Sequence, residues 1–149
     1  MRKNWLLIGI GLLIAVLAIG AIACGGDGKV VGVRLLEFSV IPDTNTVAPG
    51  NVTLKAVNDG TEQHELVIIR TDLAANELPT NDDGSVDEAQ VEVIDRIAEF
   101  ESGGTESTTI SFKAGSYVLI CNLVIEQEGA EPDIHYALGM RLAFEVIEE

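Results

Sequence analysis

Sulfur and imidazole side chains are scarce in this chain, and their positions invite a chemical reading. Beyond residue 24 there is one cysteine (Cys121), two histidines (His64 and His135) and one methionine (Met140). One thiolate, two imidazoles and a thioether form the ligand set of a trigonal copper site with a weak axial sulfur. Three of the four lie in "CNLVIEQEGAEPDIHYALGM" (121–140), which also holds Glu126, Glu128, Glu131 and Asp133 and no lysine or arginine. Each residue alone has an ordinary reading. A lone cysteine in a β core is a small buried hydrophobe, a lone methionine fills space, and a lone histidine sits at the surface. Position makes the stronger case, and it depends on the elements that carry them.

Those elements read as strands. Short runs rich in valine, isoleucine, phenylalanine and threonine recur between glycine, proline, asparagine and aspartate, the pattern of an all-β sandwich. Strands are expected near 30–40, 51–58, 64–70, 93–100, 107–113, 116–121 and 141–148. In "NVTLKAVN", Val52, Leu54 and Ala56 share one face; in "TTISF", Ile110 and Phe112 do. "APGN" (48–51) and "KAGS" (113–116) read as turns. Cys121 shares parity with Tyr117 and Leu119, His64 with Leu66 and Ile68, and Met140 with Leu142, Phe144 and Val146. Three strand ends thus aim donors inward at one pole, and His135 closes the site from the loop between two of those strands. The connection "TDLAANELPTNDDGSVDEAQ" (71–90) reads as a polar, solvated loop with a helical turn near 86–91. Its "NDDGSVDE" fits a calcium loop poorly, because aligning Gly84 puts Pro79 and Gln90 at the first and last ligand positions. Asn51 opens a glycosylation triplet, "NVT", of a kind common by chance.

The N-terminus has the form of an export signal: Arg2 and Lys3, then an uncharged apolar run from Trp5 to Ala23. Two readings stand. "AIAC" resembles a bacterial lipoprotein signal, with cleavage before Cys24 and lipidation of its thiol; alternatively the run is an uncleaved spanning helix. Both put the domain on the outer side of the membrane, since the basic head stays cytoplasmic. Residues 1–23 are therefore assigned as signal or anchor, 24–29 as a flexible spacer and 30–149 as the folded domain. An unpaired Cys121 in an exported domain invites oxidation, which argues against a mere filler role. The formal net charge of −15 makes nucleic acid an unsuitable partner and favours cationic proteins at a salt-dependent rate.

Three pieces of the chain resemble the cupredoxins, the blue-copper family. "NDGTEQH" (58–64) resembles the family's Asn-x-Gly leading to the first histidine, "AGSYVLIC" (114–121) its Gly-x-Tyr strand delivering the cysteine, and "HYALGM" (135–140) its His-x4-Met. The resemblance implies a Greek-key β-sandwich holding one copper ion, cycling Cu(I)/Cu(II), through His64, Cys121, His135 and Met140. It also implies that Asn58 ties the His64 loop to the cysteine loop, that an amide such as that of Asn122 bonds the sulfur, and that His135 is the electron port. One departure is plain: "NLVIEQEGAEPDI" separates Cys121 from His135, where plastocyanin-like members have only a few residues. Growing such a loop from about three to thirteen residues costs roughly 1.3 kcal/mol of closure entropy, which does not forbid the site.

The function expected is an extracytoplasmic or periplasmic, membrane-tethered electron carrier whose acidic 126–133 loop docks a basic redox partner. The alternatives are a copper-binding or delivery module without redox turnover, and a structural β-sandwich without metal. Catalysis is not expected: no histidine is left for base work, and four protein ligands leave no open position.

Overall fold

The computed structural model describes residues 28–148; the signal or anchor at 1–23, Cys24 and most of the spacer lie outside them. The strands are β1 (Lys29–Leu36), β2 (Ser39–Pro42), β3 (Thr46–Val47), β4 (Gly50–Asn58), β5 (His64–Arg70), β6 (Glu92–Phe100), β7 (Thr105–Phe112), β8 (Gly115–Ile120), β9 (Val124–Ile125), β10 (Asp133–Ile134) and β11 (Arg141–Val146). One sheet runs β2-β1-β4-β7 and the other β3-β11-β8-β5-β6, while β9 and β10 form a small separate hairpin. β1 lies parallel to β4 and β3 to β11; the other pairings are antiparallel.

Alternation places the core where the sequence pattern puts it. Val52, Leu54 and Ala56 are buried, as are Ile110 and Phe112 across the ladder. They meet Val31, Val33 and Leu35 of β1 and Leu66, Ile68, Leu119 and Phe144 of the facing sheet. Fully burying each such aliphatic side chain contributes about 1.5–3 kcal/mol.

Three features depart from the sequence reading. The stretch 30–40 is a hairpin rather than one strand: Leu36 pairs with Ser39 across the turn Glu37–Phe38. Phe38 turns the chain with φ 65°, the one non-glycine residue at positive φ among those described, a conformation that costs a bulky L-residue about 1–2 kcal/mol. Second, the 71–90 connection is not simply solvated. Leu78 and Val86 are buried with Val67, Ile69, Val118, Ile120 and Tyr136, forming a second apolar layer outside β5 and β8. This explains why "HELVII" is buried at every position instead of alternating. The expected helical turn in that segment is a short 3₁₀ turn, Glu88–Gln90. Third, the loop after Cys121 carries the β9–β10 hairpin and a helical turn, α1 (His135–Leu138).

In the 71–90 segment two acidic groups serve the fold. Asp83 accepts hydrogen bonds from the Ser85 amide (2.8 Å) and hydroxyl (2.6 Å), and Asp87 accepts from the Ala89 amide (3.1 Å) at the start of the 3₁₀ turn.

Candidate metal centre

His64 opens β5, Cys121 directly follows β8, and His135 opens α1. β5 and β8 are antiparallel neighbours paired through Val67 and Ile120, so the start of one lies beside the end of the other. The ladder sets His64 beside Cys121, and His135 is brought to them by the loop that follows Cys121. Donor atoms of His64, Cys121 and His135 lie within 4.8 Å of one another, and all three residues are buried. The Nδ1 atoms of the two histidines are 3.3 Å apart, and His135 Nδ1 is 3.3 Å from Cys121 Sγ. Donors about 2.1 Å from a trigonal centre lie about 3.6 Å from each other, so the cluster has the dimensions of one ion's coordination plane.

Met140 is fully buried in the same core cluster as Cys121. Its amide donates to the His135 carbonyl (2.9 Å), and its carbonyl accepts from the Cys121 amide (3.0 Å). The main chain thus fastens three of the four predicted donor residues to one another.

The surroundings set the protonation of the donors. Burial pushes the Cys121 thiol up to about 12, with opposing help from the amides of Glu65 and Leu123. Without a cation beside it the sulfur keeps its proton, and a metal must displace that proton to bind. Burial, followed by the neighbouring His135, lowers the pKa of His64 and favours neutral imidazole. His135 Nε2 donates to Glu62 Oε2 at 2.9 Å. That bond puts the ring proton on the outward nitrogen and leaves the Nδ1 lone pair facing the cluster. His64 Nε2 has no hydrogen-bond partner; Glu37 Oε1 is 3.7 Å away.

Sequence reasoning missed Glu37, Phe38, Glu62 and Glu65, all of which abut the cluster. The Glu65 amide donates to Cys121 Sγ (3.4 Å), and its mostly buried carboxylate accepts from the Asn122 amide (3.2 Å) and from Arg96 (3.3 Å). Burial raises the pKa of Glu65, and Arg96 opposes this. Glu37 Oε1 accepts from the amides of Thr61 and Glu62, and the Glu62 amide bond foremost lowers its pKa to about 2. A carboxyl depressed in the fold stabilises it above the ordinary pKa of 4.5, and this contribution is lost as pH falls through about 2. Glu37→Gln is therefore expected to flatten the fall in melting temperature of the metal-free protein between pH 5 and 2. Thermal scans by circular dichroism check this.

Three implied roles are corrected. Asn58 does not reach the cysteine loop. Its side chain donates to the carbonyls of Glu62 (2.7 Å) and Phe100 (3.1 Å) and accepts from the Gly60 amide (3.0 Å), tying the His64 loop to the end of β6. Neither amide of Asn122 bonds the sulfur: its main-chain N–H donates to Glu65 (3.2 Å), and its side chain accepts from the Val86 amide (2.7 Å) and donates to the Val86 carbonyl (3.0 Å) and to Glu88. His135 is not a surface port: it is 0% exposed, shielded by Glu62 and by the Phe38 ring at 6.2 Å.

No family model and no curated protein matches the chain. Among solved structures, it is similar over 80% of its length to dithionite-reduced auracyanin from the photosynthetic bacterium Roseiflexus castenholzii. The match has 21% identity and a TM-score of 0.56 and covers 98% of that chain. Auracyanin B aligns with 80% of this chain and 88% of its own, at 21% identity and a TM-score of 0.51. With its two facing sheets and these superpositions, the chain has the cupredoxin fold.

Proposed function

We propose that this protein is an extracytoplasmic, membrane-tethered electron carrier that holds one copper ion through His64, Cys121, His135 and Met140. The observation that carries the reading is the convergence of two imidazole Nδ1 atoms and one thiol at a buried strand-end pole. Thiolate, imidazole and thioether donors in a trigonal arrangement suit copper better than other common metals. When bound, the ion supplies a one-electron Cu(I)/Cu(II) couple. The protein's part is to keep the donors from moving. Cys121 is fixed by its amide bond to the Met140 carbonyl just past the end of β8, His135 by the Glu62 bond, and Met140 by its two main-chain bonds. A site that need not rearrange suits electron transfer rather than catalysis or metal hand-over, and complete burial of all four residues also favours retention. The basic head and apolar run of residues 2–23, with Cys24 as the lipid attachment point, support the export and anchoring part of the reading.

Addition of Cu(II) to the purified protein tests the proposal. An intense visible thiolate-to-copper band and a reversible couple are expected; a band without a couple, with ready loss of copper to a chelator, would favour a delivery module instead. Glu62 provides a second test. Glu62→Ala frees the outward edge of His135 and is expected to weaken copper binding about 10–100-fold in chelator competition. Glu62→Gln should retain most of the affinity, because its amide oxygen can still accept the Nε2 proton.

A further inference from the structure

The Glu37–Phe38 turn sits over the donor cluster and is held from both sides. On one side, Glu37 accepts from the 61–62 amides and from the Thr61 hydroxyl (3.3 Å), which docks the turn on the His64 loop. On the other, the Phe38 carbonyl packs so closely on Gly139 that a Cβ there would lie 3.0 Å from it. Gly139 has φ 126° and lies between α1 and Met140. The turn therefore touches both loops that carry the candidate histidines. Its left-handed Phe38 backbone aims the ring edge-to-face at His135, with centroids 6.2 Å apart and planes at 82°.

Neither imidazole reaches solvent, and the outward nitrogen of His135 is occupied by Glu62. Phe38, 38% exposed, is the aromatic ring that both contacts a candidate ligand and meets solvent. Carboxylates rim it. Glu37 and Glu62 retain partial exposure, and Gln127 links Glu62 to Asp133 (3.1 Å to each), bringing the acidic 126–133 loop to the same pole. No lysine or arginine occurs from residue 114 to residue 140.

Building on the electron-carrier reading, we propose that Phe38, rather than a histidine edge, is the contact through which a redox protein couples to the site. The partner it fits has an apolar centre around its cofactor edge and a ring of lysines outside it. The ring supplies the apolar contact, and the carboxylates supply attraction and orientation. One electron passes from the reduced site to the oxidised partner; no bond is made or broken and no proton moves.

The copper-loaded protein and a cationic c-type cytochrome test this. If wild type develops no thiolate-to-copper band, the electron-carrier reading fails before any cytochrome is added. With the band present, Phe38→Ala is expected to keep it and to lower the bimolecular rate at low salt about tenfold or more, while Phe38→Tyr stays within about twofold of wild type. Titrating the Cu(I)-loaded, 15N-labelled wild type with reduced cytochrome gives a readout that needs no variant. Amide shifts should cluster at residues 37–39, 60–63, 126–133 and 137–139. An unchanged Phe38→Ala rate, or a footprint at the opposite end around Val30, overturns the proposal. If Phe38→Ala does not fold, the footprint alone decides.

Discussion

Cys121→Ala is expected to abolish the visible band completely while leaving the sandwich folded. The band requires a thiolate bound to copper, and among the described residues Cys121 is the free cysteine. The effect on affinity should exceed the about 10–100-fold typical of losing an outer-sphere partner, because a charged donor is removed outright. The effect on the fold should be small. Cys121 is fully buried but follows the end of β8, and its amide bond to Met140 does not involve the side chain. Replacing a thiol by a methyl hydrogen leaves a small void, with an expected cost of about 1 kcal/mol. Optical titration with Cu(II), together with urea unfolding of both metal-free proteins, separates the two effects. A band of wild-type intensity in the variant would remove the basis for the proposed centre.

Asn58→Ala is expected to have the opposite profile, with a large loss of stability and a secondary loss of binding. Asn58 is 0% exposed, and its side chain satisfies the Gly60 amide and the carbonyls of Glu62 and Phe100. Alanine leaves all three without that partner, and each buried unpaired group costs about 1–3 kcal/mol. Partial rehydration of the exposed loop lowers the sum, so about 3 kcal/mol is expected, or roughly 10 °C in melting temperature for a domain of this size. Binding should weaken because the same loop carries Glu62 and His64. Calorimetry of the metal-free protein checks the first effect and chelator competition the second. Unchanged melting would mean that water replaces the asparagine at little cost.

The parts of the fold visible in the sequence were those governed by alternation. Val52, Leu54 and Ala56, and Ile110 and Phe112, announce their inward face in one dimension. So do the parities that bring His64 and Cys121 to neighbouring strand ends. The cover of the pole was not visible. Nothing in "LLEFSV" announces that Phe38 adopts a left-handed conformation, because that depends on Glu37 reaching amides about 25 residues away. The sulfur faces the amides of Glu65 and Leu123, and main-chain donors leave no mark on residue type. Nor does residue type say where Asn122 points: its side chain bonds Val86 and Glu88, and its main-chain N–H bonds Glu65. The burial of Leu78 and Val86 does leave a signal in the sequence. "HELVII" is apolar too continuously for a strand with one wet face, so something had to cover the other.

The long insertion between Cys121 and His135 is fastened at its own base. The His135 amide donates to the Leu123 carbonyl at 3.0 Å, and β9 and β10 pair through Val124 and Ile134 and through Ile125 and Asp133. Beyond that rung Gln127 still reaches back to Glu62 and Asp133 (3.1 Å to each), and residues 128–132 form the tip. Recharging residues 128–132 is therefore a way to change which partners the pole attracts while Gln127 and the β9–β10 neck keep the Glu62–His135 contact in place.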